Sequence, residues 1–209
     1  MTPEPAAAEA VRARLTTERG HGRPTPPDGP TVDTPQPEAD LGGWQSSTGD
    51  GEGWGADPAT IVFQRTRVLP HCQMHSVAYT LQGGPMEGTP MEEVIRTWQL
   101  ADGSWQVSPV GGGSGPGPYR PAPWVNFTAG SGPGGFSAGG RVEGTGSDRA
   151  HTVRLVFADG FAMEDVVEHG IVLFFAPGGV VFPAAVAIAD DSGLNLATYT
   201  EFDGFPFIT

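Results

Sequence analysis

A short segment near residue 71 holds the side chains whose types and spacing come closest to a metal site. His71 and His75 lie four residues apart and therefore share a face of a strand or of a helix, with Cys72 beside them. Zinc sites take three or four ligands, so His151 or His169 would have to complete the set through the fold. Metal binding by His71 and His75 is one hypothesis. We favour the alternative, a strand from which both histidines point outward.

The single cysteine bears on both redox and catalytic chemistry. Cys72 has no second cysteine to pair with, so an intrachain disulfide is excluded. Strand-like sequence flanks it, which is typical of a small core residue rather than of a reactive thiol. The glycine pattern at 130–135, which formally matches a dinucleotide-binding fingerprint, contains Pro133 and lacks a flanking strand and helix. We therefore predict no catalytic residue and no cofactor.

Three pairs of adjacent carboxylates could act as acid and base or bind calcium. Neighbouring residues on a strand point to opposite faces, so none of the pairs is a ready-made site. The segment at 190–193, Asp-Asp-Ser-Gly, is more typical of a hairpin turn than of a calcium loop, because its spacing differs from the EF-hand pattern. The pairs are Glu92/Glu93, Glu164/Asp165 and Asp190/Asp191.

Aromatic side chains are the remaining chemical signal. Trp98 and Trp105 flank the same turn and could pair across two strands. Core packing is the default interpretation of the aromatics. The alternative is a ligand or partner surface, in which they line an apolar cleft under a glycine-rich loop. The candidates for that surface are Trp44, Trp54, Trp98, Trp105, Tyr119 and Trp124.

The elements that position these residues have the pattern of antiparallel β-strands. Asp102-Gly103, Asp159-Gly160 and the turn at 190–193 separate apolar or alternating segments. This is the pattern of hairpins, since Asp-Gly supplies the positive φ angles of a tight turn. The sequence therefore predicts an all-β fold, an antiparallel β-sandwich of about eight to ten strands over residues 60–202.

The first of these strands is predicted at 61–68, where polar and apolar side chains alternate. Phe63 and Arg65 are expected to point one way, and Gln64 and Thr66 the other.

Composition divides the chain into two parts. Residues 1–58 are predicted to form a short helix at 6–19 and a Pro/Gly-rich, partly disordered arm, because prolines cluster there. Residues 59–209 are the predicted sandwich domain, with a long glycine-rich loop at 111–140. On this division we expect deletion of residues 1–40 to leave the thermal melt nearly unchanged.

Four motifs follow one another in the C-terminal third of the chain. They are Gly140-Arg-Val-Glu-Gly144, Val153-Arg-Leu-Val-Phe-Ala-Asp-Gly160, Asp165-Val-Val-Glu-His-Gly170 and, after Pro183, Asp190-Asp-Ser-Gly193. The arrangement resembles a β-sandwich module of many uncharacterised actinobacterial proteins, over roughly residues 139–202. The resemblance implies an immunoglobulin-like sandwich and supplies no catalytic residue.

The charge of the chain limits its partners. The 209 residues include 24 acidic and 11 basic side chains, for a formal net charge of -13, and lysine is absent. Nucleic acids and anionic membranes are bound by basic surfaces, so we predict neither partner. The first residues lack the basic and apolar regions of a signal peptide. We expect a cytoplasmic location, with secretion as the alternative.

The sequence favours a non-enzymatic binding or protein-interaction β-sandwich whose partner is a protein or a small molecule. The reasons are the acidic composition and the loops on a rigid scaffold. One alternative is a small-molecule-binding or sequestering protein, or an enzyme, with a pocket under the loop at 111–140. Another is an accessory subunit of a larger assembly, or a homo-oligomer.

Overall fold

The structure, a computed structural model, consists mostly of antiparallel strands, with one α-helix near the N-terminus. The predicted all-β class is confirmed. No helix in the described part of the chain is both long and apolar enough to cross a bilayer. The structure describes residues 2–17, 55–70, 72–84, 86–113, 120–132, 135–177 and 183–200.

One α-helix, twelve strands and two 3-10 turns make up the regular structure of the described residues. The turns span Pro58–Thr60 and Ser147–Arg149. The longer elements are α1 (Pro5–Thr16), β1 (Gly55–Ala56), β2 (Val62–Leu69), β3 (Cys72–Gln82), β4 (Pro90–Gln99), β5 (Trp105–Gly113), β6 (Trp124–Gly132), β7 (Gly135–Glu143), β8 (Thr152–Val156), β9 (Ala162–Val166), β10 (Ile171–Ala176), β11 (Ala185–Ala189) and β12 (Asn195–Tyr199).

The strands form three antiparallel sheets. The first sheet has the order β1-β3-β4-β5, and β2 also pairs with β3, so that β2 to β5 form a meander of consecutive hairpins. The second sheet has the order β10-β7-β6. The third sheet has the order β12-β11-β8-β9. The chain thus leaves the third sheet after β9 to add β10 to the second.

The first sheet is covered on both faces. Val77 on β3 and Ile95 on β4 belong to the apolar cluster that includes side chains of the helix α1. Met74 and Val94 belong to a separate cluster with side chains of β10, in the second sheet. Because side chains alternate along a strand, β3 and β4 pack against the helix with one face and against the second sheet with the other.

The second sheet is the middle layer, and β10 shows this most directly. Ile171 and Leu173 pack against the first sheet, whereas Val172 and Phe174 belong to the core shared with the third sheet. All four side chains are at most 2% exposed. Burial on both faces explains why this strand is a continuous apolar run instead of an alternating one.

The N-terminal helix is packed into the body. Ala7, Val11 and Leu15 recur every four residues and are fully buried against the first sheet. This packing argues against the expectation that deletion of residues 1–40 leaves the thermal melt nearly unchanged, because the deletion would uncover an apolar face. The Pro/Gly-rich part of the predicted arm, 18–54, lies outside the described residues.

The predicted loop at 111–140 is wrong over most of its length. The strand β5 continues to Gly113, and β6 and β7 form a hairpin. Glycine usually weakens a strand, but here it allows the first and second sheets to approach each other closely. A Cβ on Gly139 would lie 2.8 Å from Leu173 Cδ2 and 3.0 Å from Val94, so only a residue without a side chain fits between the first and second sheets.

The three predicted hairpin turns are confirmed. Gly103, Gly160 and Gly193 have φ angles of 86°, 84° and 83°, at the tips of β4–β5, β8–β9 and β11–β12. In each turn the preceding aspartate carboxylate accepts a hydrogen bond from a backbone N–H two residues later. Asp190 also accepts from the N–H of Leu194 at 3.0 Å, which confirms a turn at 190–193.

A β-bulge overturns the predicted alternation of the strand β2. The register shifts between Phe63, which pairs with Val77, and Arg65, which pairs with Ser76. Phe63 therefore packs on the helix side with His75, whereas Arg65 points toward β9 and β10. The extra residue of a bulge reverses the orientation of the side chains that follow it, which alternation in sequence does not reveal.

A buried ion pair connects the three sheets. The Arg65 guanidinium makes two hydrogen bonds to the Asp165 carboxylate, of 2.5 and 2.9 Å, and donates to the carbonyl oxygen of Ile171. Asp165 also accepts from the N–H of Leu173, and Arg67 Nη1 lies 3.2 Å from it. These partners belong to β2, β9 and β10, so one carboxylate fixes the relative position of all three layers.

Candidate functional site

A cleft of about 720 Å³ opens between the first and second sheets. Its volume lies within the ~300–1,000 Å³ range of small-molecule sites. The strands β3, β4 and β5 form one wall, and β6 and β7 form most of the other. Polar residues and glycines dominate the lining, among them Ser76, Glu92, Gly113, Asn126, Arg141 and Glu143.

Glycines create much of the space in this cleft. Gly113 pairs with Glu92 across β4 and β5, so a side chain at 113 would share the cleft face of the first sheet. Among the described residues, no atom lies within 4 Å of a Cβ built on Gly113, whereas a Cβ on Gly111 would lie 3.1 Å from the Thr128 side chain. The cleft is therefore open at Gly113 and closes toward Gly111, where the two sheets come together.

A hydrogen-bonded network of four side chains spans the two walls. Arg141, on β7, binds the Glu92 carboxylate on β4 through Nη2 at 2.5 Å and Nε at 3.3 Å. Gln64 donates to Glu92 at 3.0 Å and accepts from Arg141 at 3.2 Å and from Ser76 at 3.1 Å. Arg141 and Glu92 keep 33% and 46% of their side chains exposed. The network is therefore accessible to a molecule in the cleft.

The environment of Glu92 keeps its carboxylate ionised. Partial burial acts to raise the pKa, but hydrogen bonds from Arg141 and Gln64 and the charge of Arg141 outweigh it, so the pKa lies below its ordinary value of 4.5. The ion pair with Arg141 is thus fully formed at neutral pH. The two charges cancel inside the cleft.

The carboxylate pair Glu92/Glu93 behaves as predicted for neighbours on a strand. Glu92 faces the second sheet, whereas Glu93 is buried and accepts a hydrogen bond from the Tyr79 hydroxyl at 2.9 Å. Because the two carboxylates point to opposite faces of the first sheet, they do not form an acid–base pair.

His75 is fully buried, so the favoured expectation of an outward-facing histidine is wrong for this residue. Its Nδ1 lies 3.1 Å from the Thr66 hydroxyl and its Nε2 lies 2.9 Å from the Thr97 hydroxyl. Burial lowers its pKa from 6.5 to about 4. His75 faces the side of the first sheet that carries the helix, where β2 and β4 supply its two hydroxyl partners.

The described residues offer no further metal ligand beside His75. Both ring nitrogens are already engaged by hydroxyl groups. In the described ranges no group of three or more His, Cys, Asp or Glu side chains is arranged to hold a metal ion. His71 lies outside the described residues.

Cys72 is a core residue, as its flanking sequence predicts. It is 6% exposed, and burial raises the pKa of its thiol from 9.0 to about 11, against the opposing charge of Arg96. The thiol is thus protonated at neutral pH and is a poor nucleophile.

The described tryptophans do not line the cleft. The register pairs Trp98 with Gln106 and Trp105 with Gln99, so the two indoles lie on opposite faces of their hairpin and the expected cross-strand pair does not form. The guanidinium of Arg96 stacks on Trp98 at 4.8 Å.

Trp124 begins the strand β6 and is 8% exposed. The guanidinium of Arg120 stacks on its ring at 4.9 Å, and its Nε1 has no hydrogen-bond partner within the described ranges. The other aromatic candidates, Trp44, Trp54 and Tyr119, lie outside the described residues.

Sequence reasoning missed the residues that meet in the cleft. Arg141, Gln64 and Asn126 come from three strands, and no local motif connects them. A usable signal was the recurrence of glycine within strand-like segments, at 111–113 and 139–140, because glycine in a strand marks a close approach of backbone or ligand.

No family model matches this chain, and no curated protein and no solved structure is significantly similar to it.

Proposed function

We propose that the protein is a non-enzymatic binding protein that takes a small molecule into the cleft between its first and second sheets. The observation that carries this proposal is the cleft of about 720 Å³, bounded by glycine-rich strands and crossed by the Arg141–Glu92 pair. This proposal corresponds to the small-molecule alternative that the sequence predicts. The cleft, however, lies between strands and not under a loop, and polar groups and glycines line it where tryptophans were expected.

The state of the reactive side chains supports a binding role over catalysis. The Cys72 thiol is protonated at neutral pH, and the buried His75 is held between two threonine hydroxyls. Glu92 and Glu93 face opposite sides of their sheet. The hydroxyls within hydrogen-bond reach of His75 belong to Thr66 and Thr97, which are as buried as the histidine and are therefore closed to a substrate.

We also propose that the second and third sheets form the immunoglobulin-like sandwich that the resemblance implies. An apolar core shared by these two sheets, with Phe136, Phe157 and Phe174 buried in it, supports this proposal. The cytoplasmic location and the lack of nucleic-acid and membrane partners stay predictions, as does a role as an assembly subunit.

A thermal-shift screen tests the binding role. The probes are neutral sugars, amino acids, nucleosides and fatty acids, each tested on the wild-type protein and on the variant Gly113→Leu, whose side chain projects into the open part of the cleft. A ligand at a hundred times its Kd stabilises by about 2.7 kcal/mol, which raises the Tm of a domain of this size by about 5 °C or more. We expect at least one class to do so in the wild type alone.

The control is Gln106→Leu, an exposed position on the same strand that lies outside the cleft lining. It should respond to the ligand as the wild type does. The proposal fails if no class raises the Tm, or if Gly113→Leu shows the same shift as the wild type.

A further inference from the structure

We propose that the ligand of this cleft is an uncharged carbohydrate, a molecule recognised through neighbouring hydroxyl groups. The inference rests on the proposed function and deepens it. It follows from which hydrogen-bonding groups the cleft presents and from how their charges are already paired.

Arg141, the one basic side chain among the described residues that line the cleft, is already paired without a ligand. Arg141 and Glu92 bind each other through two contacts, and Gln64 bonds to both. An anionic ligand would have to displace Glu92 from Arg141 and would then face Glu143 in the same cleft, on a chain with a net charge of -13. Both effects disfavour a phosphate or a carboxylate.

A cationic ligand is disfavoured by the same pairing. A cation bound at Glu92 would lie beside the Arg141 guanidinium and would be repelled by its charge. A metal cation would need several oxygen ligands, and the described residues hold no group of three His, Cys, Asp or Glu able to supply them. A ligand without net charge is therefore the one that leaves the network intact.

The hydrogen-bonding groups of the cleft match vicinal hydroxyls. A guanidinium only donates and a carboxylate only accepts, whereas a hydroxyl does both. Arg141 and Glu92 lie side by side and remain partly exposed, so they present a donor next to an acceptor. Two neighbouring hydroxyls complement such a pair. Asn126, the cross-strand neighbour of Arg141, adds an amide that both donates and accepts.

The aromatic side chains near the cleft point elsewhere, which argues against a nucleobase. Phe127 contributes to the lining, but its ring packs with Phe174 at 6.2 Å in the core between the second and third sheets. Tyr79 faces the helix side, where it binds Glu93. A flat aromatic ligand would find no ring to stack on among the described side chains of this cleft.

Saturation-transfer NMR and calorimetry on the full chain test the ligand class. The neutral probes are glucose, galactose, mannose, maltose and cellobiose, with sorbitol as the linear polyol. Glucuronate, glucosamine and adenosine are the anionic, cationic and nucleoside probes. We expect saturation transfer to at least one neutral sugar and none to its charged analogues, and weaker transfer to sorbitol because its hydroxyls are not held by a ring.

Two variants connect the signal to the cleft. Arg141→Gln removes the guanidinium donors and should raise the Kd for the neutral sugar about 10-fold or more, because a hydrogen bond from a charged group contributes about 1.5–3 kcal/mol. Gly113→Leu should abolish binding by filling the space. Glu168→Gln, a charge change at an exposed residue outside the cleft lining, should leave Kd unchanged.

The outcomes separate the two proposals. Binding of adenosine or of a charged probe, sensitive to Gly113→Leu and without any neutral sugar, overturns the carbohydrate inference and leaves the binding role in place. Sugar binding that survives Gly113→Leu shows that the ligand lies elsewhere and overturns both. The absence of binding by every probe, in this experiment and in the thermal-shift screen, also overturns both.

Discussion

Several polar side chains of this protein are buried and are partnered across strands or sheets. His75 lies between the hydroxyls of Thr66 and Thr97, and the Phe63 ring contacts it edge-on at 5.5 Å. Arg65 and Asp165 form an ion pair with both side chains at most 5% exposed. Buried polar groups of this kind are costly unless every partner is present, so single substitutions should have large and measurable effects.

The neutral state of His75 makes stability depend on pH. Its pKa is about 4 in the folded protein and 6.5 when unfolded. Its contribution to the free energy of unfolding is therefore fully present above about pH 6.5 and is lost as the pH falls toward 4. Between pH 7 and pH 5 the wild type should lose about 2 kcal/mol of unfolding free energy from this residue.

The variant His75→Gln keeps a donor and an acceptor but does not titrate. Urea unfolding at pH 7 and pH 5 should show a free-energy difference about 2 kcal/mol smaller in His75→Gln than in the wild type. Equal differences in the two proteins would contradict the burial of a neutral His75.

The Arg65–Asp165 pair is the second residue-scale test. Asp165→Asn leaves a buried guanidinium without its counter-charge, which should cost about 3–5 kcal/mol of unfolding free energy. Glu168→Gln removes the other, half-exposed carboxylate beside Arg65 and should cost less than about 1 kcal/mol. Denaturant unfolding at neutral pH measures both. Similar costs would show that Asp165 is accessible to solvent.

At the scale of elements, the helix α1 contributes to the body through three side chains spaced four residues apart. A helix of this length is marginal alone, so its stability comes from packing on the first sheet. Leu15→Ala removes one of these buried side chains and should cost about 2–5 kcal/mol.

Glu9→Ala is the matched control, at an exposed position of the same helix. It should change the unfolding free energy by less than about 0.5 kcal/mol. If both variants unfold at the same denaturant concentration as the wild type, the helix does not dock as described.

The strands and turns were accessible to sequence reasoning because their signals are local. Asp102-Gly103, Asp159-Gly160 and the turn at 190–193 each need a positive φ angle within a few residues of an aspartate. The region of β6 and β7 was assigned to a loop because glycine lowers local strand propensity, and only the neighbouring sheet explains the presence of glycine there. The bulge at Gln64 was missed because it depends on the register with β3.

For the whole molecule, the spacing of the layers is the property on which the cleft depends. The first and second sheets touch at Gly139 and diverge toward Gly113, where a side chain would meet open space. A small change in sheet separation would therefore alter both the stability of the core and the width of the cleft.

Gly139→Ala tests this spacing. The added Cβ would lie 2.8 Å from Leu173 and 3.0 Å from Val94, so the variant should lose about 1–3 kcal/mol of unfolding free energy through overpacking. Gly113→Ala adds the same methyl group where no atom lies within 4 Å and should change stability by less than about 0.5 kcal/mol. Thermal or urea unfolding compares the two. Equal stability of both variants would argue against close contact of the sheets at Gly139.

The sequence by itself determined the all-β class, the three Asp-containing turns, the buried Cys72 and the opposite orientation of Glu92 and Glu93. Each of these follows from interactions within a few residues or from strand alternation. The tertiary structure alone decided the layers, the burial of His75 and the hydrogen-bonded network of Arg141, Glu92 and Gln64. These depend on register and on contacts between residues up to about a hundred positions apart, which no local pattern encodes.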